Sequence, residues 1–179
     1  FHFENLGLLD QADLTLADLT LVCGENNTGK TYVTYGIYGF LRTWRLLLQM
    51  VLAKELQKKG WNAGNYAIDL DELFSGKLND YLERMAERYD AFLPDAFAAS
   101  EQFFKDGRIR VSMAQQGGLL DAAYQKTIQG GPSGKVLATL TKVTGSPLLE
   151  VLLADDALGN PHLVRLDDFI ADAVADIVF

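Results

Sequence analysis

The chain has a single cysteine, Cys23, which excludes an internal disulfide framework. Its place at the end of an apolar run predicts a small buried side chain kept in a reducing compartment. Histidines are scarce too, with two in the chain. His2 and His162 have no neighbours at metal-ligand spacing, and each is expected as a surface or packing residue rather than a zinc ligand. Positive charge is in deficit, with 16 Lys and Arg against 24 Asp and Glu and a formal net charge of −8. A free-standing nucleic-acid binder needs a concentrated basic surface, so that class is disfavoured. Arg42, Arg45, Lys54, Lys58 and Lys59 share one stretch relieved only by Glu55, and a solvated helix face accounts for them. Long hydrophobic runs are missing too. The longest uncharged apolar stretch of the central helix, Leu46 to Ala53, is too short to cross a bilayer, and no signal peptide is visible. A cytoplasmic protein without membrane contact is expected. Gly and Pro are not in excess and no internal repeat is apparent, which excludes collagen-like and disordered classes.

What is present is a globular composition, 49% hydrophobic and 22% charged over 179 residues, enough for one domain spanning 1–179 with a real core. The sequence starts at Phe1 and stops at Asp176-Ile177-Val178-Phe179, so that domain is expected to be incomplete. The apolar last turn needs a partner surface or must dock on its own core.

The strongest signal is Gly24-Glu25-Asn26-Asn27-Thr28-Gly29-Lys30-Thr31, which fits G-x-x-x-x-G-K-[ST] at every fixed position. Before it, Leu19-Thr20-Leu21-Val22-Cys23 has the apolar, β-branched character of a buried strand. After it, Ile37, Phe40, Leu41, Trp44, Leu48, Val51 and Leu52 recur at three- and four-residue spacing and predict a helix. Strand, loop and helix in that order form a phosphate-binding loop (P-loop, Walker A). Glycines let successive N–H groups turn inward, and the helix N-terminus adds partial positive charge. Lys30 would reach the β- and γ-phosphates and stabilise their charge, and the Thr31 hydroxyl would complete a magnesium site. The predicted nucleotide-binding set is Gly24, Glu25, Asn26, Asn27, Thr28, Gly29, Lys30, Thr31 and Tyr32, with ATP and Mg2+ as cofactors.

Phe3-Glu4-Asn5-Leu6-Gly7, Ala12-Asp13-Leu14-Thr15-Leu16 and Leu19–Cys23, running into the Asn-Asn-Thr-Gly-Lys-Thr core, resemble the N-terminus of bacterial ABC/SMC-like AAA ATPases. These include relatives of the overcoming-lysogenization-defect nucleases and of the RecF and Rad50 heads. The resemblance covers about the first 45 residues well and the remainder weakly. It implies an α/β P-loop NTPase fold, ABC/SMC-head-like, in which two heads close over two nucleotides. It further implies ATP hydrolysis in a full-length homodimer, in DNA repair or phage defence, with DNA contacted by segments outside this chain.

Taken in order, Phe1 to Leu9 and Asp13 to Leu16 read as a β-hairpin turning at Asp10-Gln11. Lys30 to Lys59 reads as one helix of about 45 Å, weakened and open to a bend at Gly36 and Gly39 and stopped by Gly60. Trp61 to Ala67 reads as a loop. Residues 69–106 read as a helical insertion, one helix carrying Leu78, Leu82, Met85 and Tyr89, and a second running from Pro94-Asp95 through Phe97, Phe103 and Phe104 to Gly107. Arg108 to Met113 is a candidate strand and Gly117 to Gln129 contains a predicted short helix. Gly130 to Gly134 is a turn. Val136 to Val143, Leu148 to Leu153 and His162 to Leu166 then read as an antiparallel meander. Asp167 and Asp168 are placed to cap a final helix carrying Phe169, Ile170, Ala173, Val174 and Ile177.

Hydrolysis also needs an acidic pair at the end of a second buried strand. Val151-Leu152-Leu153-Ala154-Asp155-Asp156 is the one candidate, and Gly130 to Gly134 only loosely matches a signature loop. The second acid is Asp rather than Glu, and Asp155 to Pro161 has turn composition, so both acids are read as turn residues. Trp44, Tyr32, Tyr35 and Tyr38 could stack on an adenine, but their helical spacing favours core. Gln115-Gln116 stays unassigned. The sequence therefore predicts nucleotide binding, with turnover absent from the chain alone. Two alternatives stand beside the ATPase: a small-molecule or nucleotide kinase, for which no basic lid stands out, and a nucleotide-binding switch without turnover.

Overall fold

Two antiparallel sheets, each with its own helices, make up this mixed α/β chain. The computed structural model describes residues 1–56, 64–113, 123–130, 134–155 and 166–178. The residues gather into two compact units, Phe1–Leu47 with Leu78–Ala114 and Leu48–Lys77 with Gln115–Phe179.

In the first unit, β1 (His2–Leu6) pairs with β2 (Leu9–Asp13) as the expected N-terminal hairpin, but the chain turns at Gly7-Leu8 rather than at Asp10-Gln11. Gly7 takes the left-handed φ of 65° that the tight connection needs, so Asp10 and Gln11 fall inside β2, with Gln11 opposite Glu4. On the other side of β1 lies β4 (Arg108–Arg110), with Phe3 opposite Ile109 and both side chains fully buried.

Helix α1 (Lys30–Leu56) is about 40 Å long and helical throughout. The two glycines expected to bend it instead admit neighbours. A Cβ on Gly36 would lie 3.1 Å from the Phe3 ring and 3.3 Å from Ile109 Cδ1, so its absence lets the helix settle on the three-stranded sheet. Gly39 faces the Tyr89 hydroxyl, against which a Cβ would stand at 1.9 Å. Tyr89 belongs to α3 (Leu78–Asp90), whose buried face carries Leu78, Tyr81, Leu82, Met85, Ala86 and Tyr89 at helical spacing. Asp90 closes that helix onto β4 by accepting the Ile109 N–H at 2.9 Å.

The helical insertion is present but shorter in its second half than expected. α4 is only Leu93–Ala96 in this unit, and a 3₁₀ turn, Glu101–Phe104, follows separately. Ala98, at φ 49°, stands between them outside the helical region of the backbone.

The second unit is built on a four-stranded sheet ordered β3-β7-β6-β5, formed by β3 (Gly64–Asp69), β5 (Tyr124–Gly130), β6 (Lys135–Lys142) and β7 (Leu148–Leu153), with α2 (Leu70–Phe74) following β3. The β6–β7 hairpin turns through Thr144 to Pro147 as expected, closed by the Ser146 N–H on the Val143 carbonyl. One expectation fails here: residues 64–67 are not loop but the start of β3. β5 takes up residues 124–129, the end of the 117–129 stretch in which a short helix is expected. Neither strand carries a continuous run of β-branched or aromatic residues, and each is held by the neighbour it pairs with, β7 and β6 respectively. Ile68, Ile128, Ala138, Leu140, Leu149 and Val151 are buried on one face of the sheet.

α5 (Leu166–Val178) includes Asp167 and Asp168 in its first turn rather than at the cap, one or two residues from the expectation. It docks on its own unit: Lys126 of β5 reaches Asp172 at 2.6 Å, Gln49 of α1 donates to the same carboxylate at 2.7 Å, and the Tyr124 hydroxyl donates to Asp176 at 3.1 Å. The third meander strand at 162–166, residues 117–122 of the stretch expected to contain a short helix, the Gly60 stop and the core of the 130–134 turn lie outside the described residues, apart from Leu166, which opens α5.

Candidate phosphate-binding site

Residues 24–29 curl back over the start of α1, and the side chain of Lys30 fills the curl. Its ammonium donates to the carbonyl of Gly24 at 2.9 Å and to that of Glu25, with the Thr28 hydroxyl at 3.4 Å. Thr28 ties the loop from the other side by donating to the Glu25 carbonyl at 2.8 Å. Asn27, at φ 63°, and Gly29, at φ 85°, make the turns that reverse the chain. Space at Gly29 is tight as well: a Cβ there would meet Leu9 Cδ1 at 3.1 Å and Leu9 Cβ at 3.2 Å. The start of β2 thus backs the end of the loop.

The first bond of the helical ladder runs from the Val33 N–H to the Gly29 carbonyl at 3.2 Å. The N–H groups of Lys30, Thr31 and Tyr32 therefore precede the ladder, at the positive end of a long helix. With a lysine ammonium, those N–H groups and small side chains at one place, the arrangement suits an anion of several oxygens. Thr31 is exposed at the same end. The nine residues of the predicted set, Gly24 to Tyr32, are consecutive, and of their side chains Thr28 and Lys30 make the hydrogen bonds of the loop.

The segment before the loop departs from expectation. Residues 19–23 form no strand, Leu19 and Leu21 are each 76% exposed, and Cys23 is exposed rather than buried. The apolar run has the composition of a strand, but it pairs with no described strand, and a lone extended segment leaves its own N–H and C=O groups to water. A turn bends the chain just upstream, where the Ala17 N–H bonds the Thr20 hydroxyl at 3.0 Å.

The tyrosines divide. Tyr35 and Tyr38 are exposed, not core, while Tyr32 is half-buried with its ring over Gly7, where a Cβ would stand at 2.2 Å. Tyr32 joins rings that the sequence placed only in a separate helix, Phe97 at 5.6 Å and Phe103 at 6.3 Å between centroids. Trp44 is half-buried with the Arg45 guanidinium 5.5 Å from its ring. Arg42, Arg45 and Lys54 are exposed, as a solvated face requires.

Asp155 is exposed in a turn after β7, a strand antiparallel to both of its neighbours. Asp156, Gln115, Gln116, Lys58, Lys59 and His162 fall outside the described residues. His2 binds Asp13 through Nδ1 at 2.7 Å and Glu4 through Nε2 at 3.1 Å, and these two hydrogen bonds raise its pKa, Asp13 contributing most. Among the described residues no group of three or more His, Cys, Asp or Glu side chains is placed to hold a metal ion. No described helix is long and apolar enough to cross a membrane. No family model, no curated protein and no solved structure matches the chain.

Proposed function

We propose that this chain is a nucleoside-triphosphate-binding P-loop domain, of the kind found in bacterial ABC/SMC-like ATPases, which takes ATP with Mg2+. The observation that carries the proposal is the loop curled around the Lys30 ammonium at the N-terminus of α1. Lys30 and the N–H groups of Thr31 and Tyr32 would hold phosphate oxygens, and the exposed Thr31 hydroxyl would serve the magnesium that accompanies them. Bound magnesium would neutralise charge on the triphosphate. In this reading the chain acts as part of a cytoplasmic homodimer that hydrolyses ATP in DNA repair or phage defence.

This reading separates binding from turnover. A positioned water and an acidic strand end are what an ATPase adds to the cradle. β7 lies in an antiparallel sheet and Asp155 follows it in a turn, which favours binding without appreciable hydrolysis by the chain alone.

Titration with a fluorescent ATP analogue in the presence of magnesium tests the proposal. The wild-type chain should bind saturably, and Lys30→Ala should lose at least tenfold in affinity while keeping its circular dichroism spectrum. Equal affinity in a folded variant refutes the phosphate site. Lys30-dependent phosphate release by the chain alone would instead refute the separation of binding from turnover.

A further inference from the structure

We propose that the aromatic rings beside the N-terminus of α1 form a stacking shelf for the base of the nucleotide, an inference that rests on the loop before α1 being its phosphate site. Tyr32, the residue after Thr31, stacks on Phe103 at 6.3 Å between centroids and tilts on Phe97 at 5.6 Å, and Phe97 meets Tyr35 edge-on at 6.1 Å. Phe104 is the buried floor, 4.8 Å from Phe97 and 5.1 Å from Phe103. A cluster built only for packing would draw its rings inward. Here the floor is buried, yet Phe103 is 50% and Tyr35 54% exposed, so both offer ring surface to water while held by their neighbours.

Position supports the same assignment. Tyr35 stands about 6 Å along the helix axis from Thr31, close to the phosphate end of α1. The hairpin turn touches both features, with Gly7 under the Tyr32 ring and Leu9 against Gly29. Leu8 between them is 66% exposed. A base needs no countercharge, and stacking accepts any π-face, so the shelf would recognise a nucleotide over a bare polyphosphate without selecting strongly among bases.

Calorimetric titrations with Mg-ATP and Mg-tripolyphosphate, on the wild-type chain, Phe103→Ala and Phe103→Leu, separate the shelf from the loop. The wild type should bind ATP about 5- to 100-fold more tightly than tripolyphosphate. Both variants should lose most of that advantage with tripolyphosphate affinity unchanged; Phe103→Leu keeps a large apolar side chain and lacks the π-face. Equal wild-type affinities for the two ligands would overturn the shelf and leave the loop standing. Retention of the full advantage in both variants, or a parallel loss of both ligands in Phe103→Leu, would also overturn it. Binding of neither ligand by the wild type would overturn the loop and the shelf together.

Discussion

Gly39→Ala gives opposite answers depending on what fills the space beside α1. In an exposed helix the change is favourable by about 1 kcal/mol, because glycine spends more backbone entropy on ordering. Here the added Cβ would stand 1.9 Å from the Tyr89 hydroxyl, 3.1 Å from Tyr89 Cζ and 3.5 Å from Ala96 Cβ. Tyr89 is fully buried and packs edge-on against Phe40 at 5.6 Å, so it has little room to swing aside. Overpacking of this kind costs about 1–3 kcal/mol, which cancels or exceeds the propensity gain and leaves the variant about 0–2 kcal/mol less stable. The Tyr89 hydroxyl is itself a buried polar group with no hydrogen-bond partner among the described residues, and burial pushes its pKa up to about 12. Tyr89→Phe should therefore stabilise the protein, by about 1–3 kcal/mol at most. In the Tyr89→Phe background the closest obstacle to the new methyl is removed, and Gly39→Ala should turn neutral or favourable. Urea denaturation of the four proteins, followed by far-ultraviolet circular dichroism, yields the coupling directly. A coupling of at least about 1 kcal/mol is expected. If Gly39→Ala stabilises both backgrounds by the same amount, the packing account of this glycine is wrong.

Asp90 supplies a pH test. Burial raises its pKa, against the Ile109 N–H and the nearby Arg110 and Arg108 charges, which lower it. A folded pKa above the unfolded one means that its contribution is fully present below the unfolded value of about 3.9 and is lost as pH rises through the folded value. Asp90→Asn keeps an acceptor for Ile109 and removes the charge, so its stability relative to wild type should grow as pH rises from about 4 towards neutrality. A difference independent of pH would contradict the burial of this carboxyl. For the segment before the loop, Leu21→Ser should change stability by no more than about 0.5 kcal/mol, and Cys23 should react with a water-soluble thiol reagent as fast as in the denatured chain. Protection of Cys23, or a loss of several kcal/mol on Leu21→Ser, would show instead that the segment is packed.

The parts of this molecule legible from its sequence are those whose physics is local. The loop needs glycine at Gly29 for its φ, and Lys30 and Thr31 at the first helical positions, all within eight residues of one another. The α3 periodicity follows from a single buried face. Errors fall where a partner decides. Leu19 to Cys23 has strand composition and no described neighbour to pair with, whereas β3 and β5 have weak strand composition and firm neighbours in β7 and β6. Gly36 and Gly39 have the look of helix weaknesses until Phe3, Ile109 and Tyr89 are seen against them. The hairpin turn moved for a similar reason: Asp10-Gln11 has turn chemistry, but Gly7 supplies the positive φ. The aromatic cluster joins Tyr32 to Phe97 and Phe103 across most of the intervening chain, and no local pattern announces it.

The Lys30 ammonium bonded to the Gly24 and Glu25 carbonyls changes what an alanine scan can measure at this position. Carbonyl oxygens aimed at one point repel each other, and the cation between them acts as an internal cement that fixes the curvature of the backbone. Deleting it removes an attractive charge and also slackens the mould into which an anion would fit. The affinity lost in Lys30→Ala is then a composite of two effects, and it overstates the Coulombic part. Lys30→Arg separates them, because a guanidinium keeps the charge but is too broad and planar for the same seat. Binding that falls in the arginine variant nearly as far as in the alanine variant would show that loop shape, more than net charge, sets the affinity.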